Sequence, residues 1–286
     1  MEHKNLEDWI GQSEQRIERI APFPANALAA TLDRSDGEYR DGTALPPLWH
    51  WLHFLPIFKL SEAGYDGHAA LGGFLPPVPL SRRMWAGSRL SFPAPMRIGQ
   101  DLTKVSTIKS VKAKTGRSGP LVFVTVGHQI FDGDTLGIDE EHDIVYRDKP
   151  SAAAPLPSPQ PCPETSLFER KITPGPVLLF RYSALTFNGH RIHYDHPFCQ
   201  TTEGYKGLVV HGPLLATLLL DLLRREFPHA EVTHFEFRAL STIYDSETFS
   251  VHGAAPEQDN TVHLWARRED GALAMDAKAT LKGTPA

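Results

Sequence analysis

The sequence predicts an α+β fold in which an antiparallel sheet wraps a long helix, set in a chain of two halves. Three observations carry this. Val210–Leu223 is a long apolar helical run entered through His211-Gly212-Pro213, and Pro213 suits the first turn of a helix. After Pro228 come the strand-like runs Val232–Ala239, Thr248–Gly253, Val262–Arg268 and Ala272–Leu281, which such a helix can cover. Between the halves, Pro150–Pro163 carries six prolines, making it stiff, extended and short of backbone donors.

The remaining elements follow in order. Asn5–Ile20 reads as a helix, with Leu6, Ile10, Ile17 and Ile20 on one face and Pro22 and Pro24 ending it. Ala25–Leu32 suits a second short helix. Leu48–Leu55 is aromatic and bounded by prolines, and Gly64–Pro79 is a Gly- and Pro-rich loop. Arg89–Phe92, Leu102–Lys109 and the alternating, β-branched Leu121–Phe131 read as strands, with a turn at 115–119. Lys171–Phe180 reads as the strand that opens the second half. No residue-level repeat links the halves.

At 286 residues, 41% hydrophobic and 22% charged, the chain has the balance of a globular protein of one large or two modest domains. A net charge of −5 argues against general nucleic-acid binding. The longest apolar run is interrupted by His211, Gly212, Pro213 and Asp221, so no membrane span is expected. The N-terminus has no apolar signal core. Cys162 and Cys199 stand far apart, which suits a reducing cytoplasm and neither a disulfide framework nor a cysteine metal site. No metal is expected.

Chemistry concentrates at Phe187–Asp195. Asn188, His190, His193 and Asp195 sit beside Gly189, where the backbone can turn or approach a ligand closely. Histidine can take and give a proton near neutrality. At the helix entrance, unpaired N–H groups around Gly212 and the helix dipole can hold negative charge on a carbonyl oxygen. A proton carrier facing such a hole suits addition of water to a double bond conjugated with a carbonyl. A polar surface turn and an ordinary helix entrance with a buried His211 are the plainer alternatives.

The run Phe187–Asp195, followed by Glu203–Leu218, resembles the MaoC-like hydratases and dehydratases. Leu45–Pro56 and Arg82–Leu90 resemble the double hot-dog branch that includes mesaconyl-C4-CoA and itaconyl-CoA hydratases and type 2 hydroxyacyl-thioester dehydratases. The resemblance implies two antiparallel sheets, each wrapped on a long helix. It divides the chain into a substrate-shaping half (1–149), a linker (150–164) and a half carrying the catalytic motif (165–286). It implies His193 as the catalytic histidine and Gly212 as the N–H that polarises the thioester carbonyl. The family's motif acid is replaced by Asn188 and its asparagine by His190. An amide cannot act as a base, so Asn188 can only orient water or substrate. His190, Asp195 and His211 are supporting candidates.

The implied activity is a hydro-lyase acting on a short carboxylated enoyl-CoA, with coenzyme A entering as part of the substrate, no other cofactor, and a homo-oligomeric assembly. Two alternatives stand: a 3-hydroxyacyl-ACP or -CoA dehydratase of fatty-acid metabolism, and a non-catalytic binding module. Lys104, Lys109, Lys112, Lys114 and Arg117 are candidates for coenzyme A phosphates or for a solvated strand face. Arg238 is a candidate to face the substrate or pair with an acid. Trp49, Trp51 and Phe54 are expected in packing.

Overall fold

The computed structural model describes residues 5–116, 119–149 and 159–283. The first half comprises β1 (Ser13–Arg19), α1 (Pro22–Thr31), β2 (Arg82–Ser91), β3 (Asp101–Gly116), β4 (Gly119–Asp132) and β5 (Thr135–Arg147). The second comprises β6 (Phe168–Ile172), α2 (Pro176–Leu185), α3 (Gly212–Glu226), β7 (Val232–Ala239), β8 (Phe249–Gly253), β9 (Thr261–Arg267) and β10 (Leu273–Leu281).

All ten strands form one sheet in the order β1-β3-β4-β5-β2-β7-β10-β9-β8-β6. From either edge inward, each half runs first, third, fourth, fifth, second strand. The layout is duplicated although the residues show no repeat, and it is that of a double hot-dog. The halves join where β2 pairs antiparallel with β7, from Gly87↔Arg238 to Ser91↔His234. Gly87 is required at this seam, because a Cβ there would lie 2.4 Å from the Phe237 carbonyl oxygen.

Inside the sheet lies α3, buried without interruption from Leu214 to Leu223. A helix that is apolar nearly all round must be enclosed. Its two polar exceptions are satisfied. Thr217 Oγ1 donates to the Pro213 carbonyl at 2.8 Å. Asp221, with no exposed side-chain surface, accepts from Arg170 and Arg225 on Oδ2 at 2.9 and 2.8 Å and from Arg34 on Oδ1. Arg34 comes from the first half, just after α1, so the pairing ties the halves together. Trp49, Trp51 and Phe54 pack as expected. Trp51 lies against Trp85 and Phe237 across the seam, Trp49 against Tyr39, and Phe54 is buried.

Four elements differ from their sequence reading. Asn5–Ile20 is not one helix: a 3-10 turn at Leu6–Trp9 ends at Gly11 (φ +87°), and β1 follows, paired with β3. Ile10 and Ile17 are exposed, so their helical spacing marked no buried face. Lys171–Phe180 is a strand only as far as Ile172, and Pro176 then opens α2 for the reason that Pro213 suits α3. β5 was not anticipated, because its acidic centre at 139–143 masks the strand pattern. A long helix is present only in the second half, since the ten-residue α1 is the longest described in the first. The Pro-rich residues 150–158 and Arg117 lie outside the described residues. The end of that segment does meet the sheet, through the Gln160 carbonyl that accepts from Leu273 N–H at 2.8 Å. Proline lacks a donor and keeps its acceptor.

No helix among the described residues is long and apolar enough to cross a membrane.

Replacing Asp221 by Ala leaves three guanidinium groups without their buried counter-charge. The expected loss is about 3–5 kcal/mol of unfolding free energy, read as a lower urea midpoint. An unchanged midpoint would remove this ion cluster from the forces that join the halves.

Candidate active site

The predicted motif follows α2 directly. Past the helix, Phe187 takes a left-handed conformation (φ +49°) and Asn188 N–H returns to the Ser183 carbonyl at 2.8 Å. Asn188 Oδ1 accepts from His190 N–H at 3.0 Å, closing a side-chain turn that sets up the 3-10 turn Arg191–His193. That turn is bonded to the segment leading into α3. Val209 N–H donates to the Ile192 carbonyl at 2.9 Å, and His193 Nδ1–H donates to the Val209 carbonyl at 2.7 Å.

The last bond fixes the tautomer of His193. Nδ1 carries the proton, and Nε2 keeps a lone pair with no bond to a described residue. The ring is 7% exposed and stacks on His211 with centroids 3.6 Å apart and planes 17° from parallel. His211 is fully buried at the N-cap of α3, and its Nε2 bonds Ser183 Oγ at 2.8 Å. The next residue, Gly212, begins the helix in open space, with nothing within 4 Å of a Cβ built there. Its N–H is among those a helix start leaves unpaired. The structure thus brings His193, His211 and Gly212 together.

Burial pushes the His193 imidazole down to about 3, with His190 adding to the effect. Burial likewise holds His211 well below the usual histidine range. Both rings are neutral near pH 7, and His193 can accept a proton at Nε2.

The first half contributes a part that sequence reading passed over as a loop. Gly64-Tyr65-Asp66-Gly67-His68 lies directly on the motif. The Asp66 carbonyl accepts from Arg191 N–H at 2.8 Å, and the backbones at Gly67 (φ +88°) and Gly189 are too close for a side chain. A Cβ on Gly67 would sit 2.0 Å from the Gly189 oxygen. Asp66 accepts from His68 twice, from Nδ1–H on Oδ2 and from the backbone N–H on Oδ1, both at 3.0 Å. The His68 ring lies 4.1 Å from that of His190, which is 5.4 Å from His193. Burial and then His68 drive His190 down to about 3, against the opposing pull of Asp66. The available signal was an Asp-Gly-His run at 66–68, two residues after Gly64. Asp66, His68 and His190 also hold donor atoms within 4.8 Å of one another, the residue types of a metal site. Asp66 Oδ2 and His68 Nδ1, however, bond each other.

The other candidates are placed as follows. Asp195 accepts from Arg191 at 2.8 Å and from Phe198 N–H at 3.0 Å, holding Arg191 over the Phe198 ring and bonding no histidine. Lys109, Lys112 and Lys114 are exposed on β3, a solvated strand face. Lys104 is half-buried 6.0 Å above the Phe54 ring. Arg238 is exposed on β7 and forms no ion pair among the described residues.

The sequence pattern of the family described as "Hydroxyacyl-thioester dehydratase type 2" matches residues 48–245. The chain is 47% identical over 276 residues to mesaconyl-C(4)-CoA hydratase of Chloroflexus aurantiacus, covering 96% of this chain and 97% of that one. A MaoC-like dehydratase from Phytophthora capsici superposes with a TM-score of 0.74 at 15% identity, covering 98% of both chains. A Mycobacterium tuberculosis protein described as a double hot-dog superposes at 0.58 with 13% identity, over 95% of this chain and 96% of that one. The last two likenesses concern the fold.

Imidazole nitrogen NMR across pH 4–8 is expected to find His193 neutral and protonated on Nδ1 throughout the range above pH 5. The folded ring's value lies below the unfolded one of about 6.5. Its contribution to stability is therefore intact above that pH and is lost as pH falls toward 3. Titration of His193 near 6.5 would contradict the buried, neutral ring.

Proposed function

Because the chain belongs to the hydroxyacyl-thioester dehydratase type 2 family of hydro-lyases, we propose that it hydrates a short carboxylated enoyl-CoA. Mesaconyl-C4-CoA and itaconyl-CoA are the leading substrates, with citramalyl-CoA as product. The observation that carries the reading is the meeting of His193 Nε2, free and unprotonated, with the helix start at Gly212. Near full-length identity of 47% to a mesaconyl-C(4)-CoA hydratase supports the choice of substrate.

In the reaction so derived for mesaconyl-C4-CoA, whose double bond is conjugated with the thioester, the thioester carbonyl oxygen lies at the Gly212 N–H. His193 Nε2 takes a proton from water as the water oxygen bonds to the β-carbon. The π pair of the double bond moves toward the carbonyl oxygen, and the helix N-terminus stabilises the enolate that forms. The enolate then takes the same proton from Nε2 onto the α-carbon. Atoms and charge balance, His193 returns to its starting state, and the reverse path is the dehydration. Asn188 holds the loop by bonding His190 N–H. Asp66 holds His68, whose ring lies against His190, and so brings a carboxylate to the row of histidines where position 188 has only an amide.

The test is a spectrophotometric hydration assay over enoyl-CoAs with and without a distal carboxylate. We expect turnover of the carboxylated members and a loss in His193→Ala of about 10²- to 10⁴-fold in kcat. Wild-type protein that hydrates or dehydrates no acyl thioester would overturn the reading, and near-normal turnover in the variant would remove His193 from the chemistry.

A further inference from the structure

A cavity of about 290 Å³ adjoins the site at Asp66. Its walls are largely apolar, including Ala69, Ala70, Leu71 and Leu80, and Arg83 and Tyr146 also line it. These two residues are register partners on adjacent strands, β2 and β5.

The other two arginines of β2 are neutralised. Arg82 pairs with Glu203, and Arg89 with Glu141 and Asp143. Arg83, half-buried, has no carboxylate within ion-pair distance among the described residues. Beside it the Tyr146 hydroxyl is buried with the Arg83 guanidinium, a donor, bearing on its oxygen, and among the described residues no acceptor takes the hydroxyl's own proton. Burial raises that phenol above its ordinary range, so it stays protonated and can donate. A half-buried guanidinium without a counter-charge and a buried hydroxyl whose proton has no acceptor are both costly unless something satisfies them. Asp66 also lines the cavity, but both of its oxygens already accept from His68. Through Asp66 the cavity adjoins the motif, since Asp66 bonds His68 and the His68 ring lies 4.1 Å from that of His190.

We propose that Arg83 and Tyr146 form the subsite that binds the acyl carboxylate of the substrate, the guanidinium in a two-pronged contact and the phenol as a further donor. The proposal rests on the hydratase reading and names the residues that select the substrate class. A carboxylate is the ligand that meets both unmet needs at once, and a guanidinium fork matches its geometry. A methyl or alkyl terminus would leave both groups unsatisfied.

The experiment compares wild type, Arg83→Met, Arg83→Lys and Tyr146→Phe in the full-length protein. Hydration of mesaconyl-C4-CoA is set against that of crotonyl-CoA. Binding of succinyl-CoA against butyryl-CoA, by calorimetry, gives a readout that needs no turnover. Arg83→Met is expected to lower kcat/KM for mesaconyl-C4-CoA about 10- to 100-fold more than for crotonyl-CoA, and Tyr146→Phe by a smaller factor in the same direction. Arg83→Lys should recover part of the preference. The wild-type preference for succinyl-CoA over butyryl-CoA should vanish in Arg83→Met. Equal losses on both substrates, or a binding preference unchanged by the variant, would overturn the subsite. Wild-type protein that binds succinyl-CoA selectively through Arg83 yet hydrates nothing would instead defeat the hydratase reading and leave the subsite standing.

Discussion

A carboxylate with no exposed surface, Asp221, is held by arginines from both halves and fixes where α3 lies. Three guanidinium groups converge on it, one of them from just beyond α1. A charge so deep is tolerable only when fully paired, so the helix has little freedom to slide or rotate. Everything at its N-terminus inherits that position: Gly212 in open space, His211 bonded to Ser183, and His193 stacked on His211. The ion cluster is far in sequence from the motif, and it sets the frame in which the motif works.

Within that frame, burial decides the protonation state of the histidines. Two imidazolium rings stacked at 3.6 Å would repel by about 4 kcal/mol even at an effective dielectric of 20. Desolvation acts the same way on each ring singly, and the directions agree for His190, His193 and His211. The row of rings is therefore neutral, and the hydrogen bond from Nδ1–H to Val209 turns neutrality into function by leaving Nε2 unprotonated. Low basicity is matched to a reaction in which negative charge develops next to the ring. In the proposed hydration, the forming enolate would raise the proton affinity of the imidazole when the proton must be taken, and the proton would be given up again as the α-carbon claims it.

Much of this was legible in the sequence, and what was not has identifiable causes. The apolar run before Pro228 gave α3, and β7 lies on its predicted residues, because one long enclosed helix and alternating strands are strong local patterns. The polar cluster around His193 and the helix entrance at Gly212 could be located from residue type and pattern, while the roles given to them rest on the family resemblance. The misread elements are those decided by partners. β1 is a strand because β3 offers it an edge, and β5 is a strand because β2 and β4 enclose it. Asp66 and His68 were passed over for a similar reason: an Asp-Gly-His run in a loop says little until tertiary packing sets Gly67 against Gly189, some 120 residues further along the chain.

That close approach also bears on why a duplicated layout carries a single motif. The second half holds the proton carrier and the helix start. The first half brings Asp66 to a loop that has an amide at 188, and β2 and β5 present Arg83 and Tyr146 in the cavity that Asp66 also lines. In the proposed reaction neither half is sufficient alone: the second carries His193 and Gly212, and the first supplies the Asp66–His68 pair that packs against His190. Joined through the β2–β7 seam, the halves bring the Asp66–His68 pair against His190 of the motif, and Asp66 in turn lines the cavity that holds Arg83 and Tyr146. With the two halves doing different work, selection on the first acts on what it presents to the second. The loss of any residue-level repeat beneath a preserved strand order is the expected consequence.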